Sequence, residues 1–420
     1  MKTDNSPARG TRDLLPASVA TRDRVLGLIQ DVYRRFGYQR IETPALERIE
    51  RLTAGQGGDN EKLLFRILRR GLDERLPAET EVNGLVDMGL RYDLTVPLTR
   101  FYSQYRAELP QPFRSFQFGP VWRAERPQKG RYRQFHQCDI DVIGEASVLA
   151  EAELIEATTA ALAAVGLSGT TVRLSDRRFL SALATAAGVP QDAHAGFFVT
   201  VDKLDKIGWD GVTAELTGDR GLDASVASAA REKIEALADL PADKVAAVLA
   251  DVVPGLPSDV VTDLATTAEC LAGLPCSWAF DPTLVRGMGY YTGQIFEITH
   301  PDAAGSIAGG GRYDELIGRS IGTDVPACGF SIGFERIVDL VAAEPPADRV
   351  AVLYEADVPV PQALAVARRL REERGGVVSA VKRGGKFPAQ LTRLEGWGFT
   401  GFLSLKADQD PGEVRPLGKS

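Results

Sequence analysis

Two stretches of alternating residues constrain the fold most. "FRSFQFGPVWRAE" (113–125) and "RQFHQCDIDVIG" (133–144) place apolar and polar side chains in alternation. Successive side chains of a strand point to opposite faces, so both stretches are predicted to be strands. The short connection between them favours an antiparallel hairpin.

The predicted hairpin carries polar side chains on shared faces. Arg123 and Glu125 lie together on the first strand, and Gln137, Asp139 and Asp141 lie together on the second. Such groups are costly to bury without partners. Two interpretations stay open at this point: a solvated face of the sheet, or a site where a zwitterionic ligand supplies the partners.

The connection between the strands is cationic, although the whole chain has a net charge of −8. The stretch "ERPQKGRYRQ" (125–134) is either a solvated hairpin tip or a site for a polyanion such as ATP.

Bulk composition limits the class of protein. A chain of 420 residues predicts two or three domains, and 44% hydrophobic with 25% charged residues is typical of a globular protein. Cysteines 138, 270, 276 and 328 have no CxxC spacing, which argues against a disulfide framework or a zinc site and suits the cytoplasm. We expect no secretory signal and no membrane span, because the N-terminal segment and the rest of the chain lack the required apolar runs.

The amino-acid composition changes along the chain. Residues 174–277 are rich in Ala, Leu and Asp, and they predict an inserted helical domain. "EPPADR" (344–349) marks a linker, and the alternating strand and helix patterns of 349–420 predict a small α/β domain. That domain holds 12 Lys and Arg against 8 Asp and Glu, a balance of +4, which leaves −12 for residues 1–348.

An amphipathic helix is predicted near the start of the chain. "TRDRVLGLIQDVYRRFGY" places Val25, Leu28, Val32 and Phe36 on one apolar face together with Ile29. This face must be buried, either in a partner subunit or in the same chain.

Glycine-rich segments later in the chain could hold a ligand. In "LVRGMGYYTGQIFEI", glycines after Arg286 would let the backbone approach a ligand closely. We expect the consecutive Tyr290 and Tyr291 to point to opposite faces, with at least one in the core. "AGGGRYDEL" is either a phosphate-cradling turn or a tight hairpin. The three histidines, His136, His194 and His300, lack the spacing of metal ligands, and we expect each to be structural.

Taken in order, these segments resemble the histidyl-tRNA synthetases, a family of class II aminoacyl-tRNA synthetases. "GTRDLLP" is similar to the family's N-terminal signature, and "IETPAL" to class II motif 1. "LRYDLTVPLTR" resembles the histidine loop, and "VWRAERPQKGRYRQFHQCDID" resembles motif 2. "LVRGMGYYTGQIFEI" and "AGGGRYDEL" resemble the histidine-specific motifs, and "GFSIGFERI" resembles motif 3. The resemblance covers nearly the whole chain.

The resemblance implies a mixed α/β (α+β) fold with the antiparallel catalytic sheet of class II synthetases. The catalytic core would occupy 1–173 and 278–343, interrupted by a helical domain over 174–277 that is similar to the insertion of the eukaryote-like branch. Residues 349–420 would form an anticodon-binding-like α/β domain that stops about a strand and a helix earlier than the family pattern.

The implied activity is ligation of histidine to tRNA(His) through histidyl-adenylate, with ATP and Mg²⁺ as the substrate pair and no metal held by the protein. Motif 1 implies a homodimer. Two alternatives stay open: a histidine-binding regulatory subunit of ATP phosphoribosyltransferase, and an amino-acid-activating enzyme with another carrier. Such regulatory paralogues lack the C-terminal domain and tend to lose the ATP-contacting arginines, all of which this sequence retains: Arg123, Arg131, Arg286 and Arg336.

The resemblance also implies roles for individual residues. Arg123 would contact the α-phosphate, and Arg286 would stabilise charge during attack on phosphorus. Arg123, Glu125, Arg131, Phe135 and Arg336 would bind ATP. Arg123 and Arg286 would also contact the amino acid. The other residues implied to bind it are Asp93, Leu94, Thr95, Gln137, Asp141, Tyr290, Tyr291 and Tyr313. Among them, Asp93, Thr95 and Gln137 would hold the α-ammonium group, while Asp141, Tyr291 and Tyr313 would recognise the imidazole.

The sequence departs from the family pattern before the double tyrosine. Gly289 stands where the family usually has an acidic or amide residue, so we expect a contact to be missing from the histidine pocket.

Overall fold

The computed structural model describes residues 4–418 apart from 54–62, 73–80, 128–131, 239, 241, 287–288, 343–347 and 408. The chain divides into two compact units, Met1–Val341 and Ala342–Ser420. Within the described ranges, no helix combines the length and the apolar composition needed to cross a membrane.

The first unit contains eleven described strands. They are β1 (Gln39–Arg40), β2 (Leu46–Arg48), β3 (Phe65–Leu68), β4 (Val86–Leu90), β5 (Phe113–Trp122), β6 (Gln134–Ile143), β7 (Thr171–Asp176), β8 (Ser277–Phe280), β9 (Gln294–Thr299), β10 (Ala308–Arg312) and β11 (Ala327–Ile332).

The first unit also contains α-helices, several of which lie between β7 and β8 in the chain. They are α1 (Pro16–Arg35), α2 (Ile49–Thr53), α3 (Thr95–Tyr105), α4 (Leu149–Ala164), α5 (Arg177–Ala186), α6 (His194–Val201), α7 (Leu204–Thr217), α8 (Ala224–Leu237), α9 (Ala242–Val252), α10 (Ser258–Leu271), α11 (Asp314–Ile321) and α12 (Phe334–Leu340).

An eight-stranded sheet in the order β1-β5-β6-β11-β10-β9-β7-β8 forms the centre of this unit. Its inner pairs are antiparallel, and only β1 with β5 and β7 with β8 are parallel. The predicted hairpin is confirmed, because β5 and β6 pair from Phe113 opposite Ile143 to Trp122 opposite Gln134. The mixed α/β fold class with a largely antiparallel sheet is therefore confirmed. Strands β2, β4 and β3 make a separate three-stranded sheet.

The apolar face of α1 is covered by its own chain. Val25 and Ile29 are fully buried and Val32 is nearly so, and they belong to the same core cluster as Leu154 and Leu162 of α4. Leu28 and Phe36 pack against that core as partly buried side chains. Of the two alternatives for this face, burial within the chain is thus the one observed, and the face gives no argument for a partner subunit.

The glycine run of "AGGGRYDEL" lies in a strand, so the phosphate-cradling turn is wrong; the run is one strand of the antiparallel pair β9 and β10. Residues 308–312 form β10 and pair with β9 on one side and β11 on the other. A Cβ atom on Gly310 would lie 2.0 Å from the carbonyl oxygen of Gly329. Only glycine fits there, because the backbone of β11 occupies the space of a side chain.

A buried ion pair connects β10 to α4. Arg312 is 8% exposed, and its Nε and Nη2 donate to the two carboxylate oxygens of Glu151 at 2.6 Å each. The carbonyls of Glu145 and Ser147 accept further hydrogen bonds from the same guanidinium. Removing one partner of such a pair commonly costs about 3–5 kcal/mol, because the other charge stays buried. This pair therefore fixes the position of the central strand.

The first of the helices α5–α10 begins directly after β7. Asp176 ends β7 and accepts the Arg178 N–H at 2.7 Å as the N-cap of α5. The Arg178 guanidinium then joins Asp259 and Asp263 of α10. The predicted domain boundaries at 173/174, 277/278 and 343/349 stay predictions.

The second unit is a small α/β structure, built from β12 (Arg349–Tyr354), α13 (Val360–Arg374), β13 (Val377–Lys382), α14 (Phe387–Gly396), β14 (Gly401–Leu405) and β15 (Arg415–Pro416). The strand order is β13-β12-β14-β15, with β12 parallel to both β13 and β14 and β15 antiparallel to β14. The predicted alternation of strands and helices is confirmed.

Candidate active site

Asp93 stands where β4 leads into α3. Its Oδ1 accepts the backbone N–H of Val96 at 3.0 Å, which orients the carboxylate at the helix start. Its Oδ2 is buried and has no hydrogen-bond partner among the described residues. Burial raises the pKa of Asp93 to about 6, although Val96 and the Arg123 charge act against this shift.

Strand β6 presents a second group of acceptors. The Gln137 amide donates to Asp139 Oδ2 at 3.2 Å and to Ser331 Oγ at 3.3 Å. Asp139 and Asp141 are 4% and 3% exposed, so the alternative of a solvated sheet face does not hold. Within the described part of the chain, Gln137 Oε1, Asp139 Oδ1 and Asp141 Oδ2 accept no hydrogen bond of normal geometry. The face is therefore a buried surface that lacks donors.

Burial makes these carboxyls weak acids. The pKa of Asp141 is raised to about 7, chiefly by loss of solvent and further by the Asp93 charge. The pKa of Asp139 is raised well above its usual range by burial and by its neighbour Asp141. A cation placed among the three carboxyls would relieve both effects.

Aromatic hydroxyl groups complete this side of the site. Tyr313, directly after β10, donates its hydroxyl to Asp141 Oδ1 at 2.6 Å. The Tyr290 ring lies 5.8 Å from the Tyr313 ring and 5.0 Å from the Tyr291 ring, and the Tyr290 hydroxyl hydrogen-bonds with Thr95. The expectation that Tyr290 and Tyr291 point to opposite faces is wrong, because the pair precedes β9 in a turn and the two rings touch. Tyr290 is the buried member, as expected of at least one of them.

Arg286 is held in a conformation that disfavours side chains. Its φ is 62°, and it alone among the described non-glycine residues has a positive value. Its Nη1 donates to Glu297, and the guanidinium also hydrogen-bonds with Tyr291. Backbone strain of this type costs about 1–3 kcal/mol and is concentrated at functional sites.

Gly309 makes room for the Arg286 guanidinium. A Cβ atom at this position would lie 2.4 Å from Cζ and from Nη1, and 2.5 Å from Nη2. The charged group therefore lies flat against the backbone of β10. The glycine run thus positions a cation, in place of the predicted phosphate turn.

Of the residues expected to bind ATP, Arg123, Glu125 and Phe135 lie at the open end of the hairpin. Arg123 Nε donates to the Tyr92 carbonyl at 3.0 Å, and Cζ lies 5.1 Å from the centre of the Phe135 ring. The carbonyl of Glu125 accepts from Arg133 Nε at 3.0 Å, which closes the base of the connecting segment. Arg131 lies outside the described residues.

Arg336 lies in the first turn of α12 and is exposed; its Nη1 donates to the carbonyl of Ser306. The neighbouring Glu335 accepts the His136 N–H at 3.1 Å, so α12 is fixed next to Phe135 on β6. Arg336 and Phe135 therefore belong to elements that touch, as two groups enclosing one ligand would require.

The sequence analysis missed a group of charged residues, Arg12, Arg22 and Glu335, that pair with one another beside the hairpin. Arg22 is 6% exposed and donates to both Glu335 oxygens, at 2.6 and 2.9 Å. Arg12 also donates to Glu335, and it lies 4.0 Å over the ring of Tyr132 at the edge of the cationic segment. Burial opposes ionisation of Glu335, but hydrogen bonds with His136 and Arg22 and the Arg22 charge outweigh it and hold the pKa of Glu335 far below its usual range. A signal existed in the position of Arg22, which falls one turn before Val25 on the apolar face of α1.

Leu94, which directly follows Asp93, makes contacts of its own. The Leu94 carbonyl accepts from Gln117 and from the Leu98 N–H, and its side chain lines a separate cavity of about 240 Å³ with residues 41–43, Arg91 and 117–120. A Cβ atom at Gly289 would meet nothing within 4 Å, so close packing does not require a glycine there.

Each histidine makes local contacts. His136 stacks 5.0 Å from Phe118 and contacts Arg22, His194 contacts the carbonyl of Val189, and His300 accepts the Asp302 N–H. No set of three or more His, Cys, Asp and Glu side chains is arranged to hold a metal ion within the described ranges.

Comparison with known proteins matches this geometry to a family. A sequence model described as histidyl-tRNA synthetase matches residues 10–337. A histidine–tRNA ligase of Leifsonia xyli subsp. xyli (strain CTCB07) is 48% identical and aligns over 97% of both chains. A probable histidine–tRNA ligase of Tropheryma whipplei (strain Twist) is 41% identical over 98% of this chain and 99% of its own.

Solved structures agree with this result. The histidyl-tRNA synthetase of Nostoc sp. PCC 7120 has a TM-score of 0.78 at 26% identity, with 97% of this chain and 93% of the other covered. The fold is that of a class II aminoacyl-tRNA synthetase. The chain belongs to the histidyl-tRNA synthetase family.

The close approach at Gly309 generates a prediction. Gly309→Ala should displace the Arg286 guanidinium, which can move, and should lower kcat for ATP–pyrophosphate exchange by about tenfold or more, as expected when a preorganised charge is misplaced. The melting temperature should change little. Gly310→Ala should instead lower the melting temperature, because its Cβ meets immovable backbone.

Gly305→Ala is the matched control, because a Cβ atom there would meet nothing within 4 Å. Exchange kinetics and thermal melts of the three variants check the prediction. An active Gly309→Ala enzyme with wild-type kcat would contradict the assigned position of Arg286.

Proposed function

We propose that this protein activates L-histidine with ATP, releasing pyrophosphate, and transfers the histidyl group from the adenylate to the 3′ end of tRNA(His). The observation that carries this proposal is the buried group of acceptors formed by Asp93, Gln137 and Asp141 beside the Tyr313 hydroxyl. A histidine molecule offers an ammonium group and a ring N–H, which are the donors that these oxygens lack. Membership of the family supports the same reaction.

The proposed reaction separates charges of opposite sign. Acidic groups on β6 and at the start of α3 hold the amino acid, while Arg123 and Arg286 face the phosphates. The carboxylate oxygen of histidine attacks the α-phosphorus of ATP, and the bond to the pyrophosphate oxygen breaks. The two guanidinium groups stabilise the negative charge that gathers on the α-phosphate oxygens.

Adenine would be held between Phe135 and Arg336. An aromatic ring and a planar guanidinium both stack on a purine. Glu125 and Arg131 would contact the nucleotide from the segment that connects β5 and β6. Mg²⁺ would arrive with ATP as part of the substrate.

A regulatory subunit of ATP phosphoribosyltransferase is the alternative function. A solved structure described as an ATP phosphoribosyltransferase regulatory subunit/histidyl-tRNA synthetase from Bacillus halodurans C has a TM-score of 0.78 and 20% identity, which shows the fold alone. Retention of Arg123, Arg286 and Arg336 favours the ligase, as does the 48% identity with the histidine–tRNA ligase of Leifsonia xyli over 97% of the chain. We also propose a cytoplasmic location, which the free state of all four cysteines supports.

The central test is ATP–pyrophosphate exchange with each amino acid. Histidine alone should support exchange, and Arg286→Ala should lower kcat by about 10²–10³-fold with a small change in KM for histidine, because the charge acts as phosphate bonds rearrange. Arg34→Ala, which removes a 68% exposed guanidinium, is the matched control. Near wild-type turnover by Arg286→Ala would remove its catalytic role, and exchange with another amino acid would overturn the proposed substrate.

We propose that the second unit contacts the tRNA. Its +4 balance contrasts with −12 for residues 1–348, and Lys382 and Lys386 flank the turn that leads into α14. Arg383 of the same turn hydrogen-bonds with Gln390 and Glu355, so its charge is less available to a phosphate than those of the two lysines.

Deletion of residues 349–420 should therefore leave exchange nearly intact and raise KM for tRNA in aminoacylation. The affinity for tRNA should fall steeply with salt for the full chain, and the slope should be smaller after deletion, since fewer counterions are released. Equal aminoacylation by both proteins would place the tRNA surface wholly in the first unit.

We also propose a homodimer. The resemblance of "IETPAL" to motif 1 supports it, as does the apolar side chain of Leu46 in that segment, which is 44% exposed. Light scattering at micromolar concentration should give twice the chain mass of 45.3 kDa. A monomeric mass would remove the proposal.

A further inference from the structure

Asp139 has no role in the reaction described so far, although it lies among the residues that bind the amino acid. It occupies the position between Gln137 and Asp141 on the same face of β6. Its side chain is 4% exposed, and its Oδ1 accepts no hydrogen bond of normal geometry from any described residue. A buried carboxylate in this state is costly, so the site must supply either a proton or a cation.

The surroundings of Asp139 are acidic overall. The nearest charges are those of Asp141 on its own strand and of Asp93 at the start of α3, and both oppose ionisation. Arg123 acts in the other direction, but its Nε is bound to the Tyr92 carbonyl. The Ser331 hydroxyl on β11 lies nearby and is shared with Gln137. The other titratable groups that interact with Asp139 are Tyr33, Arg91, Cys138 and Tyr290.

We propose that Asp139 is a further binding residue for the α-ammonium group of histidine, and that this ammonium group replaces a proton that Asp139 carries in the free protein. The inference rests on the proposed function and adds a third carboxyl to the amino-acid site. An ammonium group has three N–H donors, and Asp93 Oδ2, Gln137 Oε1 and Asp139 Oδ1 are three acceptors without donors.

Replacement of a proton by the ammonium group predicts that binding releases a proton rather than taking one up. The pKa values of Asp93 and Asp141 are raised to about 6 and about 7, so both groups are mostly ionised at pH 8. Burial and the Asp141 charge raise the pKa of Asp139 well above its usual range, which favours the protonated form of this carboxyl in the free protein. When the ammonium cation enters, the charged form of Asp139 is favoured and the proton leaves to the buffer. Binding should therefore release a proton at this pH.

The test uses L-histidinol, which keeps the ammonium group and the ring but cannot be adenylated. Calorimetric titration of the full-length protein at pH 8, in two buffers of different ionisation enthalpy, counts the protons released on binding. We expect release of close to one proton by the wild type, as linkage requires for one displaced proton. Asp139→Asn should abolish most of this release and weaken binding by about tenfold, the effect of losing one hydrogen bond to a charged group.

Two further measurements separate this role from a structural one. Imidazole-4-propionate lacks the ammonium group, so its affinity should be the same for the wild type and Asp139→Asn. The variant should also melt at least as high as the wild type at pH 8, because asparagine cannot ionise in the buried site. Asp302→Asn, at a side chain that is 81% exposed, is the matched control and should leave every quantity unchanged.

The outcomes are distinguishable. If the wild type and Asp139→Asn bind histidinol with equal affinity and release equal numbers of protons, the inference is overturned and the proposed function stays intact. A variant that loses affinity for both ligands equally would also overturn it, because the ammonium group would not be the partner. A wild type that does not bind histidinol would overturn the proposed function and the inference together.

Discussion

The close approach of β10 and β11 is the constraint on which the rest of the site depends. No side chain separates these strands at Gly310 and Gly329, where a Cβ on the former would meet a carbonyl and a Cβ on the latter would lie 2.1 Å from Asp141 Oδ1. The missing side chains leave room for groups that arrive from elsewhere: Arg286 against Gly309, and the Asp141 carboxylate against β11. The ion pair of Arg312 with Glu151 then fixes the strand on which these groups are arranged. The site therefore depends on the glycines of β10 and β11, which leave space, as much as on the side chains that fill this space.

This sheet separates two electrostatic environments that the reaction would use together. Asp93 and Asp141 supply buried negative charge, whereas Arg123 and Arg286 supply fixed positive charge nearby. In a site of low polarity, such charges act over longer distances than they would in water. Their unmet hydrogen bonds destabilise the empty protein and are satisfied by a ligand of complementary charge. Part of the stability of the fold is therefore exchanged for preorganisation of the site.

Local patterns predicted the elements well, and long-range contacts account for what they missed. Alternation in residues 113–144 gave the hairpin, because a strand's periodicity is a property of neighbouring residues. The glycine run of residues 308–312 led to a wrong prediction of a turn, because glycine favours turns locally. Only the pairing with β11 requires glycine in a strand there. Burial of Asp139 and the pairing of Arg22 with Glu335 depend on residues far apart in the chain. The two tyrosines were misjudged for a related reason: their orientation follows from a turn that single-residue preferences do not specify.

The ion pair between Arg22 and Glu335 has a consequence for how the protein is made. The two residues are separated by 313 positions, so a growing polypeptide exposes α1 long before its partner carboxylate exists. At about 5–20 residues per second, the delay is on the order of tens of seconds. Throughout that interval Arg22 lacks the anion that allows it to be buried, and the base of the cationic hairpin segment lacks its support. Assembly of the contacts that join α1, β6 and α12 must therefore await near-complete synthesis of the first unit, and a prematurely released chain would lack them.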